Sequence, residues 1–228
     1  MPGKIPENPV VQFLVLGLNP AWRMLSEHER SKGREELLNT MRSWDDGITT
    51  YPYSLVGIKA GADILLWRVA GSIDQLQESY AAMTRTGLGR YLEARYIMTG
   101  FVRQSTYVKK PTAQEQAILE PNRKRYLIVY PFTKTADWYL LKRDTRQGMM
   151  NEHIRVGREF PTISQVLVYS FGLDDQEFIV AYETDDLKTF QDCVIALRET
   201  EARRYTLRDT PIFTAIHRPL EEVLELLG

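Results

Sequence analysis

RYLIVYPFTKTADWYLL, residues 125–141, decides the fold, because the chain carries a second and blander copy of it: QFLVLGLNPAWRML, residues 12–25. Setting Trp22 against Trp138 fixes an offset of 116, which puts Leu14 opposite Tyr130, Leu18 opposite Lys134 and Leu37 opposite His153. Further on, LVGIKAGADILLWRVAGSIDQLQ (55–77) runs alongside YSFGLDDQEFIVAYETDDLKTFQ (169–191). A scaffold needs this pattern twice, yet the polar, redox-capable residues occur once. A side chain that the twin replaces with leucine is a candidate for chemistry.

The order of elements follows from local pattern. VVQFLVLGL (10–18) is a continuous apolar run closed by Asn19-Pro20, the signature of a buried strand entering a turn. Ser26 and Glu29 have capping-box spacing at the head of a charged, periodic helix reaching Arg42. SLVGI (54–58) and ILLWRVA (64–70) form a hairpin, followed by a helix over 74–86. The second half repeats the order: strand 125–132, helix 144–158, hairpin strands 166–171 and 177–183, and helix 187–200. A strand (212–218) and a short helix (219–227) close it. Residues 87–124 are the least regular. The expected division is an N-terminal unit at 1–100 without a cofactor site, a connection at 101–124, and a C-terminal unit at 125–228 that carries the site. Antiparallel strands with helices on one face make an α+β fold: tandem duplicated ferredoxin-like units of the dimeric-α/β-barrel type.

Composition narrows the function. With 43% hydrophobic and 26% charged residues, the 228-residue chain has the make-up of a soluble globular protein. A net charge of −1 offers no general attraction to nucleic acid or anionic lipid. No stretch approaches the roughly 18 apolar residues of a membrane span, and MPGKIPENPV is not a secretory signal. The single cysteine, Cys193, suits a reducing cytoplasm. His28, His153 and His217 show no zinc-ligand spacing.

His153 lies on the apolar stripe of its helix, with Met149 and Met150 before it and Val156 and Phe160 after. A core histidine bonded to a carbonyl would look the same. Gly157, one turn on, lets something flat approach the backbone, so the surroundings also suit an axial haem ligand. Tyr130 and Lys134 lead out of a strand into a loop. A phenol supplies a hydrogen atom or an electron, and an ammonium anchors a carboxylate, so together they suit a carboxylate-bearing redox cofactor. The acidic run Gly172–Glu177 reads as a hairpin turn. Arg203 and Arg204 form an adjacent pair that could meet carboxylates, as could Arg208.

The stretches YPFTKTADWYLL (130–141), MMNEHIRVGREFP (149–161), YSFGLDDQEFIVAYETDD (169–186) and LRETEARRYTLRDTPIFT (197–214) together resemble the chlorite dismutase superfamily, and within it the coproheme decarboxylases. The resemblance covers most of the chain. It implies a cytoplasmic enzyme of haem biosynthesis, assembled as a ring of five, that uses hydrogen peroxide to turn iron coproporphyrin III into haem b. It implies His153 as proximal iron ligand, Tyr130 as the radical-forming tyrosine and Lys134 as the lysine beside the reacting propionate. Trp138 and Tyr107 resemble pocket-lining aromatics, and Gln165 falls where the family places its distal residue. Chlorite-decomposing members are similar to one another in carrying an arginine there, and near Ala202 a glutamate paired to the proximal histidine; Glu201 is adjacent. Both departures point away from chlorite. The alternatives are chlorite dismutation at the same haem and haem binding without turnover.

Overall fold

The computed structural model of the chain describes residues 8–44, 47–103, 105–108 and 122–228. Its elements keep the repeat spacing. Strand β1 (Val10–Leu18), helix α1 (Glu27–Arg42), and strands β2 (Ile48–Lys59) and β3 (Ala62–Ala70) have second copies. These are β5 (Tyr126–Lys134), α4 (Arg143–Gly157), β6 (Ser164–Tyr169) and β7 (Phe178–Thr184), each starting 116 residues later. The tryptophan-bearing turns obey the same offset, a 3-10 turn at Pro20–Met24 and helix α3 at Ala136–Leu140. Each half then adds a helix and a strand: α2 (Ile73–Met83) with β4 (Leu92–Val102), and α5 (Leu187–Arg198) with β8 (Thr206–Arg208).

In the first half the antiparallel order is β4-β1-β3-β2, and in the second it is β8-β5-β7-β6. Both are the ferredoxin-like arrangement, so the α+β class and its duplication hold. Local causes are visible. The capping box forms as spaced: Glu29 N–H donates to Ser26 Oγ at 3.3 Å, and Ser26 N–H donates to Glu29 Oε2 at 2.9 Å. Every β1 residue except Gln12 is buried, which explains its unbroken apolar run.

Two sequence expectations need correction. Residues 92–102 are not irregular but form β4, paired with β1 from Val10↔Phe101 to Leu18↔Leu92 across a bulge. Glu93, Ala94 and Arg95 are exposed in a row, so the alternation that marks a strand is missing. The second correction concerns the closing elements. The compact units are Met1–Phe101 with Thr214–Gly228, and Val102–Phe213. Thus β9 (Phe213–His217), from Thr214 onward, and α6 (Leu220–Glu225) belong with the first unit. The cause is burial: Val223, Leu224 and Leu227 share a cluster with Leu14, Leu18, Trp22 and Leu37. Trp22 Nε1 also donates to the Gly228 carbonyl at 2.9 Å. Of the connection expected at 101–124, residues 104 and 109–121 lie outside the described residues.

Leu37, 1% exposed, thus sits inside an apolar cluster of the first unit. Leu37→His is expected to cost ~3 kcal/mol, because the imidazole would be buried without a partner. The reciprocal His153→Leu is expected to leave the apoprotein as stable or stabilise it by ~1 kcal/mol. Urea unfolding of both variants checks this, and equal losses would contradict the asymmetry.

Candidate functional site

Within the second unit, strand register puts the candidate side chains on one face. In β5 and β7, Tyr130 pairs with Val180 and Ile128 with Tyr182. In β6 and β7, Gln165 pairs with Tyr182 and Leu167 with Val180. Opposed and alternate residues share a face, so Tyr130, Phe132, Tyr182 and Gln165 all look toward the helices. Tyr182 is buried, and its ring centroid lies 6.4 Å from that of Tyr130. Burial pushes the Tyr130 phenol up to about 12, and the neighbouring Tyr182 hydroxyl pulls the other way. Burial also raises Tyr182 well above its ordinary value.

Lys134 ends β5. Its backbone N–H donates to Glu177 Oε2 at 2.8 Å, and the Tyr139 hydroxyl donates to the same oxygen at 2.6 Å. One carboxylate thus ties the strand end and α3 to the hairpin. The Lys134 ammonium donates to the Ala202 carbonyl at 3.1 Å and lies 4.4 Å from the Trp138 ring centroid. Burial, then the charge of Arg203, draws it down to about 8, with Glu177 opposing.

Helix α4 carries His153 on the expected stripe, half-buried beside the buried Met149. Its Nδ1 is buried without a hydrogen-bond partner among the described residues. Burial, then the nearby Lys134 charge, holds the imidazole down at about 4, while Glu152 opposes. The ring is therefore neutral at physiological pH and offers a lone pair. A Cβ placed on Gly157 or Gly148 would meet nothing within 4 Å. No group of three or more His, Cys, Asp or Glu that could hold a metal ion occurs among the described residues.

The repeat shows what sets this unit apart. Leu14, Leu16, Leu18, Trp22, Leu37, Ile64 and Leu66 form one cluster in the first unit. Their counterparts in the second unit are split. Tyr130, Phe132 and Val180 pack with Tyr182, Phe160 and Cys193, whereas Trp138 packs with Tyr107, Met149, Ala202 and Tyr205. Lys134 and His153 belong to neither cluster.

The remaining candidates are placed as follows. Tyr107 sits 6.4 Å from Trp138, ring to ring, and its carbonyl accepts from Gln147 at 3.1 Å. Arg203 is paired with Asp209 at 2.6 Å, and Arg198 meets the same carboxylate at 3.1 Å. Arg204 is exposed, and Arg208 donates to the Asp175 carbonyl at 2.9 Å. Gln165 is half-buried beside Tyr182. Ala202 is buried and Glu201 exposed. Sequence reasoning missed Tyr182 and Glu177. Alternation along FIVAYET could have flagged Tyr182, but only the register reveals its neighbour. Glu177 closes the acidic run 172–177, which in the sequence reads as no more than a hairpin turn.

A family model described as chlorite dismutase matches residues 22–218. The coproheme decarboxylase of Mycolicibacterium smegmatis is 32% identical over 176 residues, which span 77% of this chain and 75% of that protein. A mutant chlorite dismutase from Candidatus Nitrospira defluvii superposes with a TM-score of 0.88 at 28% identity, over 95% of this chain and 94% of that one. The chlorite dismutase of the same organism in complex with imidazole gives 0.88 at 28% identity, over 96% and 95%.

The buried imidazole makes stability pH-dependent. A histidine titrates near 6.5 in the unfolded chain but at about 4 when folded, so between these values the unfolded chain holds the extra proton. The stabilisation is complete above pH ~6.5 and is lost as pH falls toward 4, by up to ~3 kcal/mol. Urea unfolding of the apoprotein across that range is expected to show this fall, and His153→Gln to flatten it.

Proposed function

The chain belongs to the chlorite dismutase family, and on that premise we propose that it converts iron coproporphyrin III to haem b, removing two propionate carboxylates as carbon dioxide at the expense of hydrogen peroxide. The observation that carries this is the grouping of Tyr130, Lys134 and His153 around a divided core, where the twin unit has only leucines. The 32% identity to a coproheme decarboxylase supports the same reading.

The residues fit an iron porphyrin bearing carboxylates. His153 is neutral, carries an unpartnered buried nitrogen and has open space beside Gly157, so it would hold the iron of such a group. Lys134 has a half-buried ammonium to meet a propionate, and Trp138 and Tyr107 supply flat apolar walls. When bound, the iron porphyrin supplies the one-electron oxidising centre that peroxide activates.

The protein's part is positioning and hydrogen transfer. Tyr130 surrenders an electron and its hydroxyl proton, and the resulting oxygen takes a hydrogen atom from the β-carbon of the propionate. Loss of one further electron and of carbon dioxide leaves a vinyl group and a restored Tyr130 hydroxyl. Each turn thus removes two electrons from the substrate, and one peroxide with one added proton becomes two waters. Lys134 holds the carboxylate by a charge-assisted bond, which also favours its own protonated form. Gln165 can hydrogen-bond peroxide without adding charge.

Chlorite dismutation is the second reading, favoured by the solved chlorite dismutases of the same fold. The neutral Gln165 gives a small anion no fixed counter-charge, which weighs against it. Loading the protein with iron coproporphyrin III, titrating with peroxide and weighing the porphyrin separates the two. Stepwise loss of two carboxylates is expected from the wild type, whereas oxygen release from chlorite with unchanged porphyrin mass would favour the second reading. Tyr130→Phe is expected to bind the porphyrin yet leave its mass unchanged. Lys134→Met is expected to weaken porphyrin binding by ~1.5–3 kcal/mol, read from a spectral titration.

A further inference from the structure

Helix α4 carries a second basic group on the stripe that presents His153. Arg146 lies just under two turns earlier, which puts it about 20° from His153 around the helix and roughly 10 Å away along its axis. Gly157 continues the same stripe one turn beyond His153. Met149 and Met150 fill the turn between, and both pack in the cluster of Trp138 and Tyr107. Arg146 and His153 thus flank the helix face that meets the aromatic walls of the site.

This arginine differs from the other arginines of the unit. Arg155 stands on the opposite face of α4, is exposed and pairs with Glu159 at 3.0 Å. Arg203 and Arg198 share Asp209, at 2.6 and 3.1 Å. Arg146 is half-buried, its Nε is buried with no hydrogen-bond partner, and its side chain makes no ion pair among the described residues. Its charge reaches the Tyr139 phenol, which burial and then the bond to Glu177 raise while Arg146 opposes. Glu177 itself is taken up by the Tyr139 hydroxyl and the Lys134 backbone N–H, at 2.6 and 2.8 Å.

A guanidinium partly withdrawn from water costs stability when nothing pairs with it. Its donors form a planar fork that matches a carboxylate. The guest read above is flat, is held at its centre and carries its carboxylates at the rim. A step of roughly 10 Å along α4 from the iron ligand is the centre-to-rim reach of such a molecule.

We propose that Arg146 is a carboxylate-binding residue of this site, taking a rim propionate of iron coproporphyrin III at a point separate from Lys134. The inference deepens the porphyrin reading and rests on it. Lys134 leaves from the end of β5 and Arg146 from α4, so the two serve different parts of the rim. A guest with four carboxylates gains from both, whereas one whose carboxylates are masked gains from neither.

The test compares iron coproporphyrin III with its tetramethyl ester, which keeps the ring and the iron but loses the charge. Spectral titration of the wild type is expected to show the acid bound more tightly than the ester. Arg146→Met keeps the aliphatic stem; it is expected to weaken the acid about tenfold, the size of one charge-assisted hydrogen bond, and to leave the ester within about twofold. Arg146→Lys keeps the charge without the fork and is expected to bring the acid back to within about threefold of wild type. The urea midpoint of the Arg146→Met apoprotein is expected to stand no lower than that of wild type, because an unpaired, partly buried charge is gone. Equal losses for acid and ester, no loss for either, or a lowered midpoint that Arg146→Lys does not repair would overturn the proposal. Discrimination that Lys134→Met reduces and Arg146→Met does not would remove Arg146 alone. If the wild type binds acid and ester alike, the porphyrin-carboxylate reading itself fails and Arg146 falls with it.

Discussion

Everything in the second unit depends on how the helix-covered face of its sheet is packed. A ferredoxin-like half must cover that face, and protein interiors tolerate few voids. The first unit meets the demand with Leu14, Leu18, Leu37 and Leu66, closed by Val223, Leu224 and Leu227 from the C-terminal helix. The second unit has Tyr130, Lys134 and His153 at the positions of Leu14, Leu18 and Leu37, and its apolar residues fall into two separate clusters. The same backbone plan is thus filled once for stability and once with groups that make a poor core. Met149 sharpens the contrast. Its counterpart Gly33 lets the Trp22 ring come so close to helix α1 that a Cβ would stand 2.9 Å from it, whereas Trp138 packs against a full methionine side chain.

Electrostatics follow from that packing. Lys134 is drawn down by burial and by Arg203, and Lys134 in turn lowers His153. A lysine drawn down by burial and a neighbouring cation favours an anionic guest, because a carboxylate beside Lys134 would restore the ammonium. Glu177 meets the Lys134 backbone and the Tyr139 hydroxyl through the same oxygen, so it fixes where the lysine starts. The Lys134 side chain itself reaches the Ala202 carbonyl and the faces of Trp138 and Phe132. These are weaker partners than a carboxylate.

The sequence made the duplication legible because Trp22 and Trp138 anchor an offset that β1, α1, β2 and β3 all keep. It made Lys134 and His153 legible for the same reason, since a leucine twin exposes a polar residue. What it hid depends on register and on distant packing. The partnership of Tyr182 with Tyr130 needs the β5–β7 pairing, which no local pattern encodes. The return of α6 to the first unit needs knowledge of which apolar face lacks cover, and LEEVLE carries no such label. Strand β4 was hidden by three exposed residues in a row at an apparent strand start.

The placement of Gln165 bears on which chemistry this fold supports here. It stands opposite Tyr182, on the face that also presents Tyr130, so these polar side chains of that sheet face are a neutral amide and two neutral phenols. The cationic groups, Lys134 and Arg203, gather instead at the end of β5 and the turn at Glu201–Tyr205. A site meant to hold a small anion over the sheet would need its positive charge on the sheet side, because charge-assisted bonds are short and directional. A site meant to hold carboxylates at the rim of a large flat guest needs charge at the strand end and neutral hydrogen-bonding groups over the centre. The second distribution is the one these residues make, and it is why the decarboxylase reading is favoured over chlorite turnover on the chain's own chemistry as well as on its relatives.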